Sequence, residues 1–158
     1  MSIQWTGADV VDIAVQTEVR GEKFYRQAAE KADSDAARDL FTHLADEEVR
    51  HKAIFEGLGE TVGAIDLTQE MWEQAIEYIS VTVDQAYFKA DAPIRAIPEQ
   101  ATVPDMLRQA IAFEQQSVLF FYTLRDMVRS ASQGLVTSII DEEKQHVRQL
   151  SAALKATE

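Results

Sequence analysis

The sequence predicts an all-α chain in which two antiparallel helical hairpins form a four-helix bundle, joined by one long crossover that contains extra helix. Three observations lead there. Gly and Pro are rare, 6 and 3 among 158 residues. Apolar residues recur near every 3.6 positions through four long segments, the period of a helix with one buried face. Between the second and third segments lies a stretch of 45 residues, too long to be structureless in a compact domain. The total length suits a single domain, residues 1–158, with one substantial core.

The first helix is expected from about Gly7 to Ala32, with Thr6 as its N-cap and Asp9 and Asp12 near its positive end. Ala32-Asp33-Ser34 reads as a short turn into a second helix, about Asp35 to Leu58, which Gly59 ends. A third helix is expected to start near Pro104, behind the candidate cap Thr102, and to reach about Ser130. Ser130 to Gly134 reads as the next turn, and a fourth helix should run to about Lys155. Short turns within each pair make antiparallel hairpins, about 7–58 and 104–155. In the crossover, 59–103, Asp66 to Ser80 reads as helical, with Met71, Trp72, Ala75, Ile76 and Ile79 on one side. Pro93 and Pro98 then break the path.

Each of the four apolar stripes is interrupted at mid-length by a carboxylate. The first helix reads Val11, Ala14, Glu18, Gly21, Tyr25, Ala28, and the second reads Phe41, Leu44, Glu48, His51, Phe55, Leu58. The third gives Leu107, Ile111, Glu114, Val118, Phe121, and the fourth gives Val136, Ile139, Glu143, His146, Leu150, Ala153. The second and fourth helices share a string: Asp46-Glu47-Glu48-Val49-Arg50-His51 returns 95 positions later as Asp141-Glu142-Glu143-Lys144-Gln145-His146. Glu-x-x-His places a carboxylate and an imidazole on one helix face. The two halves thus look like a duplicated hairpin around a pseudo-twofold site.

Four inward Glu with no Lys or Arg on the same stripes would be costly to bury, or would have to take up protons. Two divalent cations would balance them, and the two imidazoles add neutral nitrogen ligands. Carboxylate with imidazole suits iron or manganese, and zinc can also bind such a set. His43 lies off the His51 stripe and reads as a surface or boundary residue. A net charge of −12 argues against nucleic acid and anionic membrane surfaces as partners. The absence of Cys excludes disulfides, iron–sulfur clusters and thiol catalysis, and fits a cytoplasmic setting. The start, Met1 to Trp5, carries no basic or apolar stretch of a signal peptide, and no apolar run is long enough to span a membrane.

Glu18 with Phe24-Tyr25, Glu48-x-x-His51, Glu114 with Phe120 and Tyr122, and Glu143-x-x-His146 together resemble a rubrerythrin-like protein of the ferritin-like superfamily. The resemblance covers both hairpins and leaves most of the crossover unmatched. It implies that Glu18, Glu48, His51, Glu114, Glu143 and His146 ligate two iron ions, with two of the Glu bridging. It also implies that Tyr25 and Tyr122 hydrogen-bond to ligand carboxylates. Asp46, Glu47, Asp141 and Glu142 include candidates for orienting the histidines. Peroxide-reducing rubrerythrins carry a further Glu three residues after the third-helix ligand, where this chain has Ser117. They also commonly carry a Cys-rich rubredoxin module, absent here, so a separate electron-donor protein is expected.

The function expected from this reading is a non-haem di-iron oxidoreductase acting on peroxide or O2, as a homodimer. A ferroxidase or iron-storage protein is the first alternative. A redox-silent, metal-stabilised interaction module is the second, and a manganese catalase-like activity is more distant. Gly21 and Ser117, each one turn from a ligand Glu, either leave room for an oxidant or let helices pack closely.

Overall fold

A computed structural model describes residues 7–59, 68–70, 73, 74, 77 and 96–158. Four long helices account for most of them: α1 (Gly7–Lys31), α2 (Asp35–Gly59), α3 (Val103–Met127) and α4 (Ser130–Ala156). The fold is all-α, with no strand among the described residues. None of the described helices is long and apolar enough to cross a membrane. Thr6, and with it the expected cap of α1, lies outside the described residues.

Local chemistry sets the helix ends. At the first turn, Ser34 Oγ accepts from the Ala37 amide at 3.2 Å, and Arg38 donates back to the Ala32 carbonyl at 3.2 Å, so one turn satisfies groups of both helices. Thr102 caps α3 as expected. Its hydroxyl accepts from the Asp105 amide at 3.3 Å while Asp105 Oδ2 accepts from the Thr102 amide at 3.0 Å, a reciprocal box with Pro104 in the first turn. The second turn differs from expectation. Helix α3 stops at Met127, Val128 takes an extended conformation, and Ser130 to Gly134 already belong to α4. Gly134 reads as a breaker in sequence, but an exposed helical glycine costs only about 1 kcal/mol relative to Ala. Buried Val128 instead turns the chain.

Two apolar clusters occupy the two ends of the bundle. One gathers Val11 and Ala14 of α1, Phe55 and Leu58 of α2, Phe121 and Leu124 of α3, and Val136 and Ile139 of α4. The other gathers Tyr25 and Ala28, Phe41 and Leu44, Met106 and Leu107, and Leu150. Chain direction follows from this: α1 and α4 run from the first cluster to the second, while α2 and α3 run the opposite way. The end of α2 and the start of α3 therefore lie at opposite ends of the bundle, about 37 Å apart for a 25-residue helix. Of the expected crossover helix, Gln69, Glu70, Glu73, Gln74 and Glu77 are helical and exposed. Its apolar side, and Pro93, lie outside the described residues. Ile97 tucks into the second cluster, and the Pro98 carbonyl closes a turn onto the Ala101 amide at 3.0 Å.

The clusters act as apolar lids on a polar layer between them. Tyr25 stacks near Phe41 at 6.3 Å, and Phe55 meets Phe121 at 4.9 Å between ring centroids. Each fully buried Phe contributes roughly 1.5–3 kcal/mol of transfer free energy. That burial on both sides holds a layer of carboxylates that would otherwise seek water.

Candidate metal centre

The polar layer contains all six residues that interrupt the sequence stripes. Glu18 comes from α1, Glu48 and His51 from α2, Glu114 from α3, Glu143 and His146 from α4, and none is more than 3 % exposed. Helical spacing explains the convergence: each Glu stands one or two turns from core residues on its own stripe, and each His follows its Glu by three positions. The antiparallel pairing then brings the four mid-points to one level.

Their donor atoms form two overlapping groups. Glu18, Glu48, His51 and Glu143 make one, Glu48, Glu114, Glu143 and His146 the other, with the donors of each group within 4.8 Å of one another. Glu48 and Glu143 belong to both. His51 Nδ1 lies 2.9 Å from Glu143 Oε1, 3.5 Å from Glu48 Oε2 and 4.0 Å from Glu18 Oε1. His146 Nδ1 lies 2.9 Å from Glu143 Oε2 and 3.6 Å from Glu114 Oε1. The two imidazoles face each other with centroids 5.7 Å apart.

Buried polar atoms are normally hydrogen-bonded. Here Glu18 Oε1, both oxygens of Glu48, Glu114 Oε2 and His51 Nδ1 have no hydrogen-bond partner. The His51–Glu143 approach is close but lacks hydrogen-bond alignment. Each such orphan costs roughly 1–3 kcal/mol, more when charged. A pair of cations bound between the groups would satisfy every one of them, and an all-oxygen-and-imidazole set fits iron, manganese or zinc. The residues present therefore fit a two-metal centre.

Electrostatics describe the same tension. Burial, then the neighbouring carboxylates Glu48 and Glu143, pushes Glu18 well above the ordinary range; burial and Glu143 push Glu114 well above it too and raise Glu48. Burial also works against the charge of Glu143, but the hydrogen bond from His146 and the close approach of the His51 imidazole outweigh it and hold that carboxylate below its usual range. Burial disfavours charge on the imidazoles too, yet Glu143 and Glu48 raise His51 to about 11, and Glu114 and Glu143 raise His146 to about 10. Without metal, the layer is held by shared protons. Cations entering it would displace those protons.

Around this layer the expected supporting residues divide. Buried Tyr25 donates its hydroxyl to Glu114 Oε1. Tyr122 does not reach the carboxylates. Its partly buried ring lies under the Arg125 guanidinium, 4.9 Å away, and the Lys144 ammonium, 5.0 Å away. Tyr25 follows Glu18 by seven residues, within about 20° of the same face, whereas Tyr122 follows Glu114 by eight and is turned about 80° from it. Phe121 takes the inward place instead.

Gly21 is filled space rather than a vestibule. A Cβ there would sit 2.8 Å from Glu48 Oε1 and 3.2 Å from Phe113 Cε1, so the glycine lets the Glu48 carboxylate lie against α1. Ser117 is buried and donates to the Phe113 carbonyl at 3.0 Å. Among the orienting candidates, Glu142 Oε2 lies 2.8 Å from His51 Nε2. Asp46 pairs at the surface with Arg26 and Asp141 with Lys144, while Glu47 pairs with Arg50. His43 is exposed, as expected. Sequence reasoning missed Arg50, which also donates to Glu142; the signal lay in the repeated string, where Arg50 and Gln145 are aligned but differ.

The family model described as rubrerythrin matches residues 9–154. A crystal structure of a ferritin-like diiron-carboxylate protein from Thermotoga maritima is similar over 100 % of both chains, with a TM-score of 0.69 and 28 % identity. No curated protein matches the sequence.

Proposed function

The chain belongs to the rubrerythrin family, and from that premise we propose that it is a non-haem di-iron oxidoreductase that reduces hydrogen peroxide or O2. The observation that carries this reading is the set of five unpartnered donor atoms in a fully buried layer. A helical module without resident metal has no use for so costly an arrangement.

Glu18, Glu48, His51 and Glu143 would hold one ion, and Glu48, Glu114, Glu143 and His146 the other. With iron bound, the centre supplies two electrons, one from each Fe(II), for taking H2O2 and two protons to two waters. The protein's own residues do the rest. Tyr25 fixes Glu114 through its hydroxyl, and burial keeps that phenol protonated. The Phe55–Phe121 and Tyr25–Phe41 contacts exclude bulk water from either end. Glu142 accepts a hydrogen bond from the outward Nε2–H of His51 and so leaves the Nδ1 lone pair facing the layer. With no Cys in the chain, the electrons come from a separate protein.

Ser117 favours keeping one other reading in view. Its hydroxyl is turned to the Phe113 carbonyl and gives the layer no further carboxylate. An ion held by fewer protein ligands leaves more readily, which suits Fe(II) as substrate rather than cofactor.

Anaerobic titration of metal-free protein with Fe(II), followed by stoichiometric peroxide or O2, tests both. Two tightly bound ions per chain, oxidised by peroxide or O2 and retained, are the expected result. Ions that leave after oxidation would establish the ferroxidase reading instead. Fewer than two ions bound would overturn the di-iron assignment.

A further inference from the structure

We infer that Arg50 is a positioning residue that fixes the tautomer of His51 and thereby makes the two metal positions unequal in affinity. This rests on the two-metal reading above and concerns which position binds more tightly.

The geometry is specific to one half of the molecule. His51 turns Nδ1 toward Glu143, Glu48 and Glu18, so Nδ1 can offer a lone pair only if the ring proton sits on Nε2. Glu142 of α4 accepts at Nε2 from 2.8 Å. That carboxylate is 34 % exposed and on its own would be free to swing into solvent. Arg50 prevents this. Its Nη2 donates to the same Glu142 oxygen and is tethered from behind by Glu47 Oε2 at 2.9 Å. One guanidinium thus ties α2 to α4 and keeps the Glu142 carboxylate opposite the imidazole.

The other half lacks this clamp. In the repeated string Gln145 stands where Arg50 does, and Glu47, the equivalent of Glu142, pairs with Arg50 of its own helix. The Glu114-containing group is fixed differently, through the Tyr25 hydroxyl on a carboxylate. One position therefore has its imidazole held in the ligating tautomer, and the other has a carboxylate held.

The test is titration of metal-free full-length protein with Co(II), followed by its visible absorption, in wild type, Arg50→Gln and Arg50→Lys. Wild type is expected to take up two ions in two resolved steps. Arg50→Gln, which copies the residue of the other half, should weaken one step by roughly 10- to 100-fold and leave the other within about 2-fold. Arg50→Lys keeps the charge without the forked geometry and should recover part of the loss. In the Co(II)-loaded protein, the exchangeable Nε2–H proton resonance of His51 should be sharp in wild type and broadened by solvent exchange in Arg50→Gln. Equal weakening of both steps, or an unchanged isotherm with an unchanged resonance, would overturn the inference. Failure of the wild type itself to bind two ions would overturn the two-metal reading instead, so the two failures are distinguishable.

Discussion

Glu48 and Glu143 occupy equivalent places in the repeated string, yet the protein treats them in opposite ways. Both are buried and both belong to both donor groups. Glu143 lies between the two imidazoles, 2.9 Å from each, and is held ionised. Glu48 has neither oxygen hydrogen-bonded, lies against Gly21, and is pushed toward its protonated form by burial. A pseudo-twofold arrangement of backbone therefore supports an unsymmetrical arrangement of charge. One bridging candidate anchors the metal-free layer, while the other waits for a cation.

The largest expected effect separates these two. Glu143→Ala leaves two buried imidazoles without their main counter-charge and should cost the metal-free protein about 3–5 kcal/mol. Glu48→Ala removes an unsatisfied carboxylate and should leave metal-free stability nearly unchanged, although it removes a donor from both groups. Urea unfolding in the presence of chelator measures both; equal losses would mean the asymmetry of charge is not real.

Next comes pH. The folded pKa values of His51 and His146 are raised to about 11 and about 10, so their stabilisation is complete below the ordinary histidine value near 6.5 and fades as pH rises through the raised values. Glu18, Glu48 and Glu114 are raised as well, so their contribution is complete below the ordinary carboxylate value and fades above it. Glu143 acts in the other direction, losing its contribution only in acid. The melting temperature of metal-free protein should therefore fall between pH 6 and pH 10, by more than about 5 °C. In Glu143→Ala the fall should be smaller, because the imidazoles have lost their main partner. A flat or rising profile in calorimetry would contradict the assigned protonation.

The smallest effect concerns the lids. Tyr25→Phe makes the two halves alike at this position, since Phe121 already faces inward in the other, and leaves Glu114 Oε1 without its donor. A loss of about 1–2 kcal/mol in metal-free stability is expected, read from the same urea curves. The parallel change in the other half, Tyr122→Phe, touches only the surface contacts with Arg125 and Lys144 and should move the midpoint by less than about 0.5 kcal/mol.

Much of this was legible because a carboxylate on an apolar stripe is a conflict visible in one helix at a time. Glu18, Glu48, Glu114 and Glu143 each break a stripe, and the Glu-x-x-His spacing needs no partner helix to be read. What depends on contacts between helices was not legible. Tyr25 and Tyr122 look interchangeable in sequence, and one residue of extra spacing turns Tyr122 outward. The same limit hid the link from Arg50 to Glu142, which joins residues 92 positions apart. The Ser130–Gly134 misreading is local: composition suggests a turn, but helix packing and buried Val128 decide where the chain bends.

Gly21 sets helix strength and site geometry against each other. A glycine in mid-helix gives up roughly 1 kcal/mol relative to alanine. The nearest atoms to an added methyl are the carboxylate oxygen of buried Glu48 at 2.8 Å and Phe113 Cε1 at 3.2 Å, so alanine could be accommodated only by displacing that carboxylate. An alanine here would thus gain helix propensity and displace a carboxylate common to both donor groups. An engineer hardening this protein should leave position 21 alone.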